Sequence, residues 1–443
     1  MNIQPTSLPV LYQISRDFVM FAGAGRAVAY HVASGDQLGK EGFVQYCTKH
    51  YGDVALVDNE GLLRSMASGA CWWNWADASK RTVRRVVMEP TNVPEDDEEA
   101  DSTVFNRWYL LKQEMAEPDP DATHASIMIL IEHLMFISDG DREGVLYFLN
   151  WLAQLWRFPD VKIPTAIMLY SKRGGVGKTV LSKLIAHVFG KSLVASCTGH
   201  EIQKNFMDAI EHKRIVVLNE MASSDRKDGY ERFKSMISEE NVQFEGKGRA
   251  SKEVRNVAHY IVTTNNEDAL PLMQNDRRFL VLRCESERKD NEYYKRLVDW
   301  IDGPGPELLA GVFSRWTFTA DWDPHAPAPQ TEASRKTQLA SRSGLHLFIE
   351  DLIAQAKPPF DKDLGRYTGL IEQLNTLYPG NMKGLRLNNK TLPSALADLG
   401  AVQLPTNYAS KTGTRISCNV WCWRNIERWR NEVGEVRAAH FDI

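Results

Sequence analysis

The run Ser171-Lys-Arg-Gly-Gly-Val-Gly-Lys-Thr179 gathers the residue types that hold a polyphosphate. Gly174, Gly175 and Gly177 let successive backbone N–H groups turn toward an anion, and Val176 adds a further amide. Lys178 carries a charge that reaches β- and γ-phosphates, and Thr179 presents a hydroxyl to Mg²⁺. The expected ligands are therefore ATP and Mg²⁺. Ahead of the turn, Ala166–Tyr170 reads as a short buried strand. Behind it, apolar residues at 180, 181, 184, 185, 188 and 189 mark a helix that Gly190 stops. The N-terminus of that helix adds partial positive charge. One position departs from the strict phosphate-loop pattern: Lys172 stands where its first glycine would be.

Four later features fall in an informative order. Arg214–Leu218 is an apolar strand ending in Asn219-Glu220. A carboxylate there suits water activation and metal binding, so Glu220 is the expected base and, with Thr179, a metal ligand. Asn219 is expected to orient a metal-bound water without adding charge. Residues 242–256 read as a hairpin whose tip carries Lys247 between Gly246 and Gly248, with Arg249 and Lys252 following. Such a tip suits sequence-independent contact with nucleic-acid phosphates, although an isolated basic hairpin is ordinarily a solvated turn. His259–Thr264 is another buried strand, and Asn265 at its end can hydrogen-bond a γ-phosphate or attacking water. Arg277 and Arg278 precede a further strand, where an arginine can serve the transition state of a neighbouring subunit.

These residues need a scaffold. Strand-like and helical runs alternate from residue 161 to 318, which implies an α/β core with a parallel sheet. Before it come a mixed region at 1–90, an acidic linker at 91–101 and a helical region at 102–160. The cluster Cys71-Trp-Trp-Asn-Trp75 reads as core. A proline-rich spacer at 319–330 separates the core from residues 336–443, expected to be a small α+β domain of winged-helix type. There a final helix is expected from Trp421 to Glu432, with Arg424 and Arg428 on one solvated face.

Composition narrows the class. The hydrophobic fraction of 43% and charged fraction of 25% are those of an ordinary globular chain. No apolar run approaches the roughly 20 residues of a membrane span, and the N-terminus lacks the pattern of a secretory signal. Six scattered cysteines suggest reduced thiols in a cytoplasmic protein. With a net charge of −4, any nucleic-acid contact must be local.

In their order, Ser171–Thr179, Asn219-Glu220, the 242–256 hairpin, Thr263-Thr-Asn265 and Asp276-Arg-Arg278 resemble the superfamily 3 helicases, in particular phage and plasmid primase–helicases related to the poxvirus primase–helicase. The resemblance implies an AAA+ type ATPase that forms a hexameric ring on single-stranded DNA, in the cytoplasm of a bacterial host. It implies Lys178 and Thr179 as phosphate and Mg²⁺ contacts and Glu220 as catalytic base. Asn265 would be the γ-phosphate sensor, Lys247 the DNA contact and Arg277 or Arg278 the trans-acting arginine. The departures are Lys172, Asn219 and the lack of an aromatic at the hairpin tip. No strand in residues 1–90 bears a spaced Asp-x-Asp pair, so no primase activity is expected in this chain, which leaves room for a separate primase partner. Two alternatives are a DNA-binding loader or scaffold with weak ATPase, and a partition-type ATPase with Arg173 in place of its signature lysine.

Overall fold

The computed structural model describes residues 2–23, 26–95, 101–198, 210–219, 228–244, 252–266, 276–340, 344–382, 385, 387–409 and 414–441. In the N-terminal region, helices Leu8–Asp17, Lys40–Tyr51 and Ser68–Asn74 pack with two small sheets. Trp72, fully buried, anchors that core, and Trp73 and Trp75 pack around it.

Helices α1 (Met128–Ile137) and α2 (Arg142–Arg157) precede the central sheet. Asp141 caps α2, its carboxylate accepting the Gly144 amide at 2.8 Å. The core then runs β1 (Ala166–Ser171), α3 (Lys178–Phe189), β2 (Val194–Thr198), β3 (Ile215–Asn219), α4 (Asp228–Ser238), a hairpin of β4 (Asn241–Phe244) and β5 (Lys252–Arg255), then β6 (His259–Thr264) and β7 (Phe279–Cys284). Helices α5 (Asn291–Asp302), α6 (Gly305–Ser314) and α7 (Glu332–Ala340) follow.

Five strands form one parallel sheet in the order β2-β3-β6-β1-β7. Strands covered on both faces read as continuous apolar runs, which is why they stand out in the sequence. Ile167, Leu169, Val217 and Leu282 pack against the layer built from α1, α2, α3, α5 and α6. Met168, Val216, Leu218, Tyr260 and Val262 pack on the opposite face against Phe233 and Ile237 of α4. The register places the ends of β1, β3 and β6 along one C-terminal edge: Asn219 pairs with Thr263, and Tyr170 with Thr264.

The stretch 319–330, expected as a proline-rich spacer, lies against the core. Trp322 stacks on Phe318 and donates its indole N–H to Gln154 at 3.1 Å, and the Ala328 amide donates to the Arg277 carbonyl at 2.8 Å. Aromatic burial holds it on the core, and the packed unit continues into α7.

The C-terminal region runs α8 (Gly344–Ala354), β8 (Leu364–Arg366), α9 (Leu370–Leu377), α10 (Thr391–Asp398), β9 (Val402–Ala409), β10 (Arg415–Cys422), α11 (Ile426–Asn431) and α12 (Gly434–Phe441). Its antiparallel sheet has the order β8-β10-β9. The long final helix expected from Trp421 is not formed, because Trp421 and Cys422 belong to β10, paired with Gln403 and Val402. Nor is Arg424 on a solvated helix face. Its guanidinium turns inward and donates to the carbonyls of Phe360 and Lys362 at 2.8 and 2.7 Å. All six cysteines are free. Among the described residues, no helix is long and apolar enough to cross a membrane.

Candidate nucleotide-phosphate site

The glycine turn joins β1 to α3 at the C-terminal edge of the sheet, where loops are free to vary and ligands collect in open α/β folds. Gly175 and Gly177 hold φ of +79° and +103°, which side chains rarely adopt. Around Gly174 the space where a Cβ would sit is open to 4 Å. Val176 sends its side chain into the core, at 1% exposure, so only its backbone faces the turn.

Lys178, the first residue of α3, folds back over this turn. Its Nζ donates to Asn265 Oδ1 at 2.6 Å and to Ser171 Oγ. Asn265 Oδ1 is also 3.0 Å from Ser171 Oγ, which in turn is 2.7 Å from the Arg173 carbonyl. Among the described residues Lys178 has neutral oxygens as partners and no carboxylate. Burial pulls its ammonium down to about 8. An ammonium held by two neutral acceptors beside the open Gly174 fits an incoming phosphate, whose charge would favour the protonated form. Ser171 is fully buried, so its hydroxyl supports the turn from beneath.

The chain after β7 builds a second wall that the sequence did not disclose. The Lys172 amide donates to the Cys284 carbonyl at 3.1 Å, and Arg173 pairs with Glu287. The Arg288 side chain lies 3.4 Å from where a Gly175 Cβ would be. Its guanidinium rests 5.3 Å from the Tyr294 ring centroid and donates to Asn291 Oδ1 at 2.6 Å. His133 of α1 and Tyr293 of α5 close the turn from behind. A lone buried histidine in an apolar helix was the one available signal.

The other expected residues divide. Asn219 reaches the same edge, but its amide is engaged: Nδ2 donates to Ser196 Oγ at 2.8 Å, and Oδ1 accepts from Thr263 Oγ1 at 2.8 Å. It ties three strands together and is not free to orient a metal-bound water. Glu220, Lys247 and Arg249 lie outside the described residues, as does the side chain of Lys252, whose backbone opens β5. Arg277 and Arg278 sit at the opposite, N-terminal edge, since Phe279 pairs with Ala166 at the start of β1. A six-residue strand spans about 20 Å, so the chain does not bring them to its own glycine turn. Arg278 is further held by Ser238 Oγ at 2.8 Å, while Arg277 is exposed. Among the described residues no three His, Cys, Asp or Glu side chains cluster to bind a metal.

This arrangement defines a parallel α/β protein with a glycine turn poised for an anion. A family model described as a family of unknown function, DUF5906, matches residues 169–278. A DNA primase-polymerase of Nitratiruptor phage NrS-1 is 26% identical over 187 residues, 40% of this chain and 26% of that protein, so the match spans about a quarter of the relative. The apo structure of the NrS-1 C-terminal region aligns over 94% of this chain and 99% of that one, with a TM-score of 0.58 at 16% identity. Its A form aligns over 89% and 87%, with a TM-score of 0.57 at 17% identity. At that identity the likeness establishes a shared fold.

These findings overturn the assignment to the superfamily 3 helicases, because the curated relative is named a primase-polymerase and the matching family has no known function. The ATP-hydrolysing ring helicase, the loader or scaffold and the partition-type ATPase fall with it, as does the expectation that priming chemistry is foreign to this chain. The physical reason is that glycines, a lysine and a polar residue at a strand end specify how a phosphate is held. They do not specify what the held nucleotide is used for.

Proposed function

We propose that this chain is the nucleotide-binding part of a DNA primase–polymerase system, holding a nucleoside triphosphate such as ATP with Mg²⁺ for DNA priming or polymerisation on a single-stranded template. The observation that carries this reading is the convergence of Lys178, Asn265 and Ser171 on an open glycine turn at the sheet edge. The likeness to the NrS-1 primase-polymerase supports the reaction class.

In this reading Lys178 and the amides of Gly174, Gly175, Val176 and Gly177 bind phosphate oxygens, and Asn265 fixes the lysine. Thr179, with Glu220, holds Mg²⁺, which neutralises triphosphate charge when bound. Lys247, Arg249 and Lys252 of the hairpin contact template phosphates. Arg277, exposed at the far edge, faces a neighbouring copy in a homo-oligomer. The sheet order β8-β10-β9 and the order of elements around it support a winged-helix-type module at 336–443.

The test measures binding of a fluorescent ATP analogue with Mg²⁺ and product formation on single-stranded DNA with nucleotides, using the full chain. Loss of a charge-assisted contact is worth about 1.5–3 kcal/mol. Lys178→Ala should therefore weaken binding about ten- to a hundredfold, with product falling in step. Failure of the wild-type chain to bind nucleotide would sink the site. Binding with no DNA product would remove the primase–polymerase assignment.

A further inference from the structure

We infer that His133 is a positioning residue of the glycine turn, holding Gly177 through its imidazole while the Tyr293 hydroxyl fixes the tautomer of that ring. The inference rests on the proposed nucleotide binding at the turn.

His133 projects from α1 and is 1% exposed. Its Nε2 lies 3.4 Å from the Gly177 carbonyl and its Nδ1 3.0 Å from the Tyr293 hydroxyl. A carbonyl can only accept, so Nε2 carries the proton and Nδ1 accepts from tyrosine. Burial keeps the ring neutral down to about 4, consistent with one proton shared in this order. Contact with the glycine is direct: a Cβ on Gly177 would sit 2.5 Å from His133 Cε1.

Gly177 is the residue through which such a contact matters. It caps α3 in a left-handed conformation, and its carbonyl also accepts the Leu181 amide at 3.2 Å, the first bond of the helix. The direction of that carbonyl sets the first turn of α3, and with it the directions of Lys178 and Thr179. Tyr293 is itself braced edge-on by Phe136 at 5.9 Å and by Tyr294 at 5.2 Å. Two helices from distant parts of the chain thus meet on one glycine. A residue needed for packing alone would be served at least as well by leucine, with no polar atoms to satisfy.

That contrast gives the experiment. Affinity for a fluorescent ATP analogue with Mg²⁺ and thermal unfolding are measured on the full chain for His133→Leu, His133→Gln, Tyr293→Phe and Lys178→Ala. Glutamine places an N–H donor close to where Nε2 stands, whereas leucine fills the space and donates nothing. A hydrogen bond of about 1 kcal/mol corresponds to roughly a fivefold loss for His133→Leu. His133→Gln should stay within about twofold of wild type even if it unfolds at the lower temperature. A purely structural histidine gives the reverse order, with leucine binding at least as tightly as glutamine, and that result overturns the inference. Should His133→Leu fail to fold, Tyr293→Phe decides: about threefold weaker binding supports the relay, and unchanged affinity refutes it. Lys178→Ala separates the two levels. If it binds like wild type, the phosphate site itself is wrong. If it loses binding while His133→Leu does not, only the positioning role fails.

Discussion

At the C-terminal edge of the parallel sheet, Lys178 is partly exposed and donates to side-chain oxygens beside the open Gly174. At the N-terminal edge, Arg214 and His259 are buried at 3% and 1% exposure, and with Lys162 they are satisfied by main-chain atoms. Arg214 donates to the carbonyls of Val257 and Leu155 at 3.2 and 3.4 Å, and Lys162 donates to Ala258. His259 accepts the Ile163 amide on Nε2 at 3.0 Å and donates from Nδ1 to the Val257 carbonyl at 3.1 Å. Burial, with repulsion from Arg214, pulls Lys162 down to about 7, and burial, with repulsion from Arg255, pulls Arg214 to about 9. The same residue types therefore do two jobs. Where fixed carbonyls hold it, a cation is a strut between loops. Where its acceptors are side chains with room to yield, it is available to a ligand.

The largest effect should come from the strut. Arg214→Met leaves two carbonyls without their donor, and a loss of about 2–4 kcal/mol is expected in urea unfolding. Nucleotide affinity of the folded fraction should be unchanged; a matching loss of affinity would erase the distinction between the edges. A smaller effect concerns pH. Lys178 in the free protein loses its proton near 8 rather than at its ordinary 10.5, and a bound phosphate favours the charged form. Binding must then take up a proton above pH 8, so nucleotide affinity should be level below about 8 and fall up to tenfold per pH unit above it. Lys178→Arg, which stays charged, should flatten that fall even if it binds more weakly overall. The smallest effect is expected of Arg288, exposed beside Gly175. Arg288→Ala should weaken triphosphate binding about two- to threefold and leave unfolding unmoved, and a titration series in salt would show whether even that is electrostatic.

Much of this was legible where local pattern and burial agree. Ile215–Leu218 and Tyr260–Val262 are apolar runs because helices cover both faces, and the glycine turn announces itself by residue type. Positions decided by contacts across the fold were not legible. The sequence offers the amide of Asn219 to a metal-bound water, yet its partners Ser196 and Thr263 lie on two other strands. His133 meets Tyr293 and Gly177 at separations of 160 and 44 residues. Arg424 looked like surface beside Arg428, but carbonyls some 60 residues earlier claim it. The function class is not legible for a related reason, since the motifs describe a phosphate cradle that different chemistries can use.

The strand order carries a consequence for how the chain is made. β1 lies between β6 and β7, yet it is the first strand of the sheet to leave the ribosome. It ends at Ser171, and β7 ends at Cys284, 113 residues later. At roughly 5–20 residues per second, that interval lasts on the order of 6–23 s. For most of it, until β6 ends at Thr264, a strand whose six residues are all buried in the finished protein has neither neighbour to pair with. The segment that ends in the glycine turn is thus an aggregation hazard of the nascent chain, and the turn cannot take its final shape until β7 has been synthesised.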